Sequence, residues 1–303
     1  MKLRELFNGC NQSNSKKSQQ NERTKNMRRG FRTRFGHASD RISPLTNDQL
    51  LQMAPSIGAT APIKEVSKLY TFVPTLPVVD LLRGDGWVPV QAKEVNVRIE
   101  EKKGFQKHLI RFQRNDLIIT PEERVDIVLY NSHDRGCAFN LIASIWRKIC
   151  SNGLMVSNDL LNFSHRHIGF DGNAFLESAQ KIVASTSMIA DQVDFMKSIE
   201  LTPDDRGVFA ITALEAAYNE PEKAPVTADR LLTDRRMDDK GKDLWTTFNV
   251  VQENLMKGGL PGRSKATGKR QRTRAVNSID KDIKLNKLLW SLTERMAELK
   301  TAE

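Results

Sequence analysis

Apolar and polar positions follow two rhythms along this chain, and each predicts a kind of element. Period two comes first: Val95, Val97 and Ile99 alternate with Glu94, Asn96 and Arg98, the pattern of a half-buried strand. A charged turn follows at Glu100-Glu101-Lys102-Lys103-Gly104. The return strand then sets His108, Ile110 and Phe112 on one face and Lys107, Leu109, Arg111 and Gln113 on the other. Val125 to Tyr130 is a nearly unbroken apolar run of strand length. The rhythm then changes. Ala138, Leu141, Ile142, Ile145, Trp146 and Ile149 recur at helical spacing, which predicts an amphipathic helix with Asn152-Gly153 as its left-handed exit.

Shorter signals fill in the rest. Thr46 or Asn47 opens a short helix ending before Ala54-Pro55, and Thr75 caps another that Gly84-Asp85-Gly86 stops. Phe163 and His165 suggest a strand. A long helix is expected over 173–199 with Phe175, Ala179, Ile182, Ile189, Val193 and Met196 as its stripe. Thr202-Pro203-Asp204-Asp205 reads as a capped helix start. Leu244, Phe248, Val251 and Leu255 mark another helix, and Leu285, Leu289, Leu292, Met296 and Leu299 a last one with heptad-like spacing. The fold class is therefore α+β: a helix, a three-stranded meander, packed amphipathic helices and a helical C-terminal part. The expected divisions are a disordered basic arm over 1–41, an α+β core over 42–200 and a helical extension over 201–256. A flexible basic linker over 257–274 and an amphipathic helix over 275–303 complete them.

Charge narrows the function. The 303 residues carry a formal net charge of +10, which favours an anionic partner. Three scattered cysteines, Cys10, Cys137 and Cys150, do not make a disulfide framework and point to a reducing, cytoplasmic setting. The opening MKLRELFNGC lacks the apolar stretch of a signal peptide, and no run reaches the length of a membrane span.

Candidate chemistry is sparse. Ser132, His133 and Asp134 are consecutive, so their side chains diverge and do not form a triad. His133, Cys137, Cys150, His165 and His167 lack the tight paired spacing of a zinc site. No glycine-rich phosphate loop follows a strand. The expectation is no catalytic residue, no metal and no cofactor. Phosphate contact is better supported: Lys102, Lys103, Lys107, His108, Arg111 and Arg114 crowd one hairpin, Phe105 at its tip offers a stacking ring, and Arg147 and Lys148 ride the next element. With His133 these make a candidate nucleic-acid groove; the plain alternatives are a solvated hairpin and a hydrogen-bonded turn.

Several motifs also carry a resemblance. Tyr70-x-Phe72-x-Pro74-Thr75, Gly86-Trp87, Lys107-His108, Asn131-Ser132-His133-Asp134 and Arg147-x-x-Cys150-Ser151-Asn152-Gly153-Leu154, in this order, resemble a family of phage- and plasmid-encoded proteins carried as a domain of unknown function. The resemblance covers roughly residues 30–200 and implies a mobile-element origin without any established activity. Family members usually read Asp-Gly-Thr after the histidine, where this chain has Asp134-Arg135-Gly136. The order of elements is also similar to Rad52-like single-strand annealing proteins. The expected function is a mobile-element accessory protein that binds nucleic acid, single-stranded DNA above all, in recombination or replication. The alternative is a counter-defence or regulatory protein acting on a host protein. A homo-oligomer pairing through 278–300 is a further expectation.

Overall fold

The computed structural model describes residues 43–302 apart from 65, 149–151, 157–160, 170 and 219. The arm expected over 1–41 lies outside these. Within them, Thr46 forms a capping box with Gln49 and opens α1 (Asn47–Met53). Helix α2 (Thr75–Gly84) follows, with Pro74 rather than Thr75 at the cap position. Six strands then form one antiparallel sheet: β1 (Val88–Glu94), β2 (His108–Thr120), β3 (Glu123–Asn131), β4 (Phe139–Arg147), β5 (Asn152–Met155) and β6 (Asn162–His165). They lie in sequence order from β1 to β5, and β6 pairs with β4.

The helix expected over 138–149 is strand β4. It pairs with β3 along one edge and with β5 and β6 along the other. Both of its faces are covered, so Leu141, Ile142, Ala143, Ser144 and Ile145 are all buried. A strand apolar on both faces has no period of two, and any five or six of its positions also fit a helical wheel. Asn152-Gly153 accordingly starts a strand instead of ending a helix. The alternation at Val95, Val97 and Ile99 forms no strand either; β1 ends at Glu94.

One face of the sheet carries Ile110, Phe112, Val125, Ile127, Leu129, Leu141, Ala143 and Ile145 into the main core. The helix expected over 173–199 breaks at Ser185 into α3 (Gly172–Ala184) and α4 (Thr186–Ser198), so its stripe turns a corner. Next come α5 (Pro203–Ala217), opened by the Thr202–Asp205 capping box, and the single turn α6 (Ala228–Leu231). After α7 (Leu244–Lys257), the stretch 257–274, expected as a linker, carries a hairpin of β7 (Pro261–Arg263) and β8 (Arg270–Arg272). The chain ends in α8 (Ile279–Thr301).

Helix α8 packs on α5, α7 and β5. Its Leu285, Leu289, Trp290 and Met296 are buried within the chain, and Trp290 meets Trp245 and Phe248 of α7 edge to face. Of the seam that heptad spacing offered to a second chain, Leu285, Leu289 and Met296 are covered by the chain itself, Leu292 is half-buried and Leu299 is exposed. Residues 43–303 make one compact unit.

The opposite face of the sheet holds a smaller core of Leu109, Val128, Tyr130, Ile142 and Met155, closed by Ile279 at the start of α8. Beside it the Arg111 guanidinium lies against the backbone of Gly153, where a Cβ would fall 1.7 Å from Nη2. Strands β2 and β5 have two strands between them, about 14 Å apart in a flat sheet. The sheet therefore curls around this second core.

Candidate nucleic-acid interface

The residues picked out by sequence divide between a buried polar knot and a set of paired cations. At the knot, strands β2 and β3 end side by side, with His108 opposite Asn131. Thr75, in the first turn of α2, sits over them. Its Oγ1 lies 2.8 Å from His108 Nε2, 3.3 Å from His133 Nε2 and 3.1 Å from Asn131 Nδ2. His108 Nδ1 lies 3.1 Å from the Gln106 carbonyl. A carbonyl only accepts, so Nδ1 carries the proton and Nε2 accepts from the threonine hydroxyl. The threonine oxygen can then accept from His133 Nε2–H, leaving His133 Nδ1 bare and without a partner.

Both imidazoles are thereby neutral. Burial holds His108 down at about 4, partly opposed by the Gln106 carbonyl. Burial and then the neighbouring His108 and His167 hold His133 at about 3. Backbone bonds Ile63 N–H to His133 O and His133 N–H to Phe105 O staple the turn between two loops. Two neutral, fully buried histidines cannot serve as phosphate-binding cations; they tie residues 56–75 to the end of the sheet.

The turn has one strained position. Arg135 adopts φ 65°, the only non-glycine residue with positive φ among those described. It stands where the resemblance read from sequence leads one to expect glycine, which reaches that region without a steric penalty.

The cations are paired. Lys102 meets Asp134 at 3.3 Å, Lys103 meets Glu100 at 2.5 Å, and Lys107 meets Asp280 at 2.9 Å. Arg114 spans Asp85 and Asp116 and lies over the Trp87 ring. Arg111 is buried against Asp126 at 3.4 Å, and burial lifts that carboxyl to about 7 despite the guanidinium. Arg147 lies on β4 instead of a helix. It is buried between Asp239 at 3.2 Å and Glu123 at 3.9 Å, within a network that continues through Arg236 to Glu253 and Lys257. Lys148 is half-buried in the β4–β5 turn, its N–H on the Glu122 carbonyl. Phe105, expected as an exposed tip, is half-buried. The ten residues do not line a common groove of free cations.

A different place does gather free cations. Helix α6, the Pro225-Val226-Thr227 segment before it and the β7–β8 hairpin enclose an open cleft of about 710 Å³. Arg230, Arg263, Lys265, Arg270 and Arg272 line it, with no acidic residue in the lining. Arg263 and Arg272 donate to backbone carbonyls, Gly268 O and Gly259 O. The walls are fixed to each other. Arg263 N–H donates to Pro225 O at 2.8 Å, and a Cβ on Gly262 would fall 2.1 Å from that same carbonyl. Asn254 holds Leu231 O and Thr233 O at the end of α6, while its Oδ1 accepts from Arg235, which also grips Gly258 O at the hairpin base. Arg230 was not singled out from sequence. The basic hairpin was legible only as charge density; Thr267-Gly268 between Lys265 and Lys269, with Gly268 at φ 67°, was the available sign of a turn.

Among the described residues no group of histidine, cysteine, aspartate or glutamate is placed to hold a metal ion. None of their helices is long and apolar enough to cross a membrane.

These features define an α+β protein with an open basic cleft. Its sequence matches the family described as "Domain of unknown function (DUF932)" over residues 62–290, and the chain belongs to that family. It is similar to the UPF0380 proteins YafZ and YfjQ of Escherichia coli (strain K12), 34% identical to each over 266 residues, covering 87% of this chain and 96% of each relative. No solved structure matches it.

Proposed function

We propose that this chain binds nucleic acid through its phosphates, in the cleft between α6 and the β7–β8 hairpin. The observation that carries this reading is the set of five cations, Arg230, Arg263, Lys265, Arg270 and Arg272, with no acid in the lining. Surface arginines and lysines usually settle beside carboxylates, as Lys93, Lys107 and Arg114 do. Like charges held together on fixed walls are costly unless an anion comes between them. A polyanion with regularly spaced charges supplies several such partners at once. The mobile-element origin suggested by the motifs fits an accessory role on DNA, and the reading is of a binding protein without a reaction of its own.

Fluorescence anisotropy with labelled oligonucleotides tests it. Lys265→Ala/Arg270→Ala/Arg272→Ala removes three phosphate contacts, so affinity at about 0.1 M salt should fall about 10²–10³-fold and the salt dependence should flatten by about two to three units. The matched triple Lys102→Ala/Lys103→Ala/Lys107→Ala should stay within about threefold of wild type, because those ammonium groups already face carboxylates. Equal losses in the two triples would reject the cleft. Dissociation constants above about 100 μM for every nucleic acid at low salt would turn the reading toward a host protein.

A further inference from the structure

We infer that the partner of this cleft is double-stranded DNA, with the β7–β8 hairpin lying in its major groove; this rests on the phosphate-binding reading above and specifies its ligand. Three observations carry it.

The hairpin is shaped as a probe. Pro261 pairs with Arg272, Gly262 with Gln271 and Arg263 with Arg270, and Ser264 N–H donates to Lys269 O to close a short tip. Residues 265–272 are all exposed, so the ribbon contributes nothing to the core. A two-stranded ribbon fits the major groove of B-form DNA, about 12 Å wide and about 8.5 Å deep. From the Gly262–Gln271 pair to the tip is about three residue rises, or roughly 10 Å, enough to reach the groove floor.

The ribbon stands on a rigid base. Thr273 is buried, its N–H on Leu260 O and its Oγ1 accepting from Leu260 N–H. Arg235 on Gly258 O and Gly262 under Pro225 O fix the two ends. A preorganised ribbon loses little entropy on docking. Arg230, on the opposite wall, is then placed for the phosphates at the groove edge.

The chemistry suits a duplex better than a single strand. The ribbon presents Arg263, Lys265, Lys269, Arg270, Gln271 and Arg272, the side chains that hydrogen-bond guanine and adenine edges in the major groove. No aromatic ring lines the cleft, whereas single-strand grooves depend on rings that stack on successive bases. Phe105, the ring that favoured single strands, lies half-buried in the β1–β2 connection. Duplex RNA is disfavoured by shape, since its major groove is too deep and narrow for a ribbon.

The test uses the full chain with four labelled probes: a mixed-sequence DNA duplex of about 24 base pairs, each of its strands alone, and the RNA duplex of the same sequence. At about 0.1 M salt the DNA duplex should bind at least tenfold tighter than either strand or the RNA duplex. Methyl green, which occupies the major groove, should displace the protein, and distamycin, which occupies the minor groove, should not. Equal or tighter binding of the single strands, or displacement by distamycin alone, would overturn the ribbon placement and leave phosphate binding standing. Failure to bind any of the four probes would overturn both.

Discussion

Two stretches of this chain are equally basic by sequence and opposite in structure. Between Lys102 and Arg114 the cations of the β2 region each face a carboxylate, and Arg111 is buried beside one. Between Arg263 and Arg272, Arg263, Lys265, Arg270 and Arg272 line an open cleft. The difference lies in what the fold brings opposite: Asp280 from α8, Asp134 from the β3–β4 turn and Asp126 from β3 reach the first stretch, and no acid lines the cleft holding the second. Positive charge that is already paired holds the fold together; positive charge left over is available to a partner.

The largest effect should come from breaking the buried side of this contrast. Arg147→Ala leaves Glu123 and Asp239 buried with a cation removed, and should destabilise the protein by about 3–5 kcal/mol. Arg270→Ala should stay within about 0.5 kcal/mol. Urea denaturation of both variants decides the point, and similar midpoints would erase the distinction between structural and free charge.

Acid should act on one side only. His108 and His133 stay neutral in the fold down to about 4 and about 3, while unfolded histidine takes its proton near 6.5. Between those values the unfolded state binds more protons, so stability falls as pH falls from about 6.5 to about 4, by up to about 1.4 kcal/mol per pH unit for each histidine. Asp126 runs the other way. Burial holds its carboxyl at about 7, above the ordinary 3.8, so the native state keeps the extra proton and this contribution is lost as pH rises through that window. Thermal melts from pH 7.5 to 4.5 should show net acid loss, steeper in Asp126→Asn. The cleft arginines keep their charge throughout, so duplex affinity of the still-folded protein should hardly change. A melting temperature that rises toward acid would contradict the neutral-histidine assignment.

A smaller loss is expected from Gly153→Ala. The new Cβ would occupy the site of the Arg111 guanidinium and push it from Asp126, at a cost of about 1–3 kcal/mol, with nucleic-acid affinity unchanged at a temperature where the variant is folded. The smallest effect is a gain. Arg135→Gly relieves the left-handed residue and should stabilise by about 0.5–1 kcal/mol, while removing one exposed cation with no measurable loss of binding. Loss of affinity in this variant would assign Arg135 to the interface.

Local signals on this chain were legible where neighbouring residues decide the outcome. The Thr46 and Thr202 capping boxes, the Leu244 and Ser278 helices and strands β2 and β3 all stand where spacing and capping chemistry place them. The α+β class follows from them, since caps and periodicities act over only a few residues. Strand β4 was illegible because a central strand is buried on both faces and its residues satisfy a helical wheel equally well; only pairing with β3, β5 and β6 resolves it. The break at Ser185 and the hairpin at 261–272 were likewise settled by packing. The candidate site shows the same division. Sequence determined how much positive charge the chain carries and that some of it lies in 257–274. Tertiary structure alone decided which cations are free, because Asp280 pairs with Lys107 across 173 residues and Asp239 with Arg147 across 92, separations over which no local pattern can report a partner.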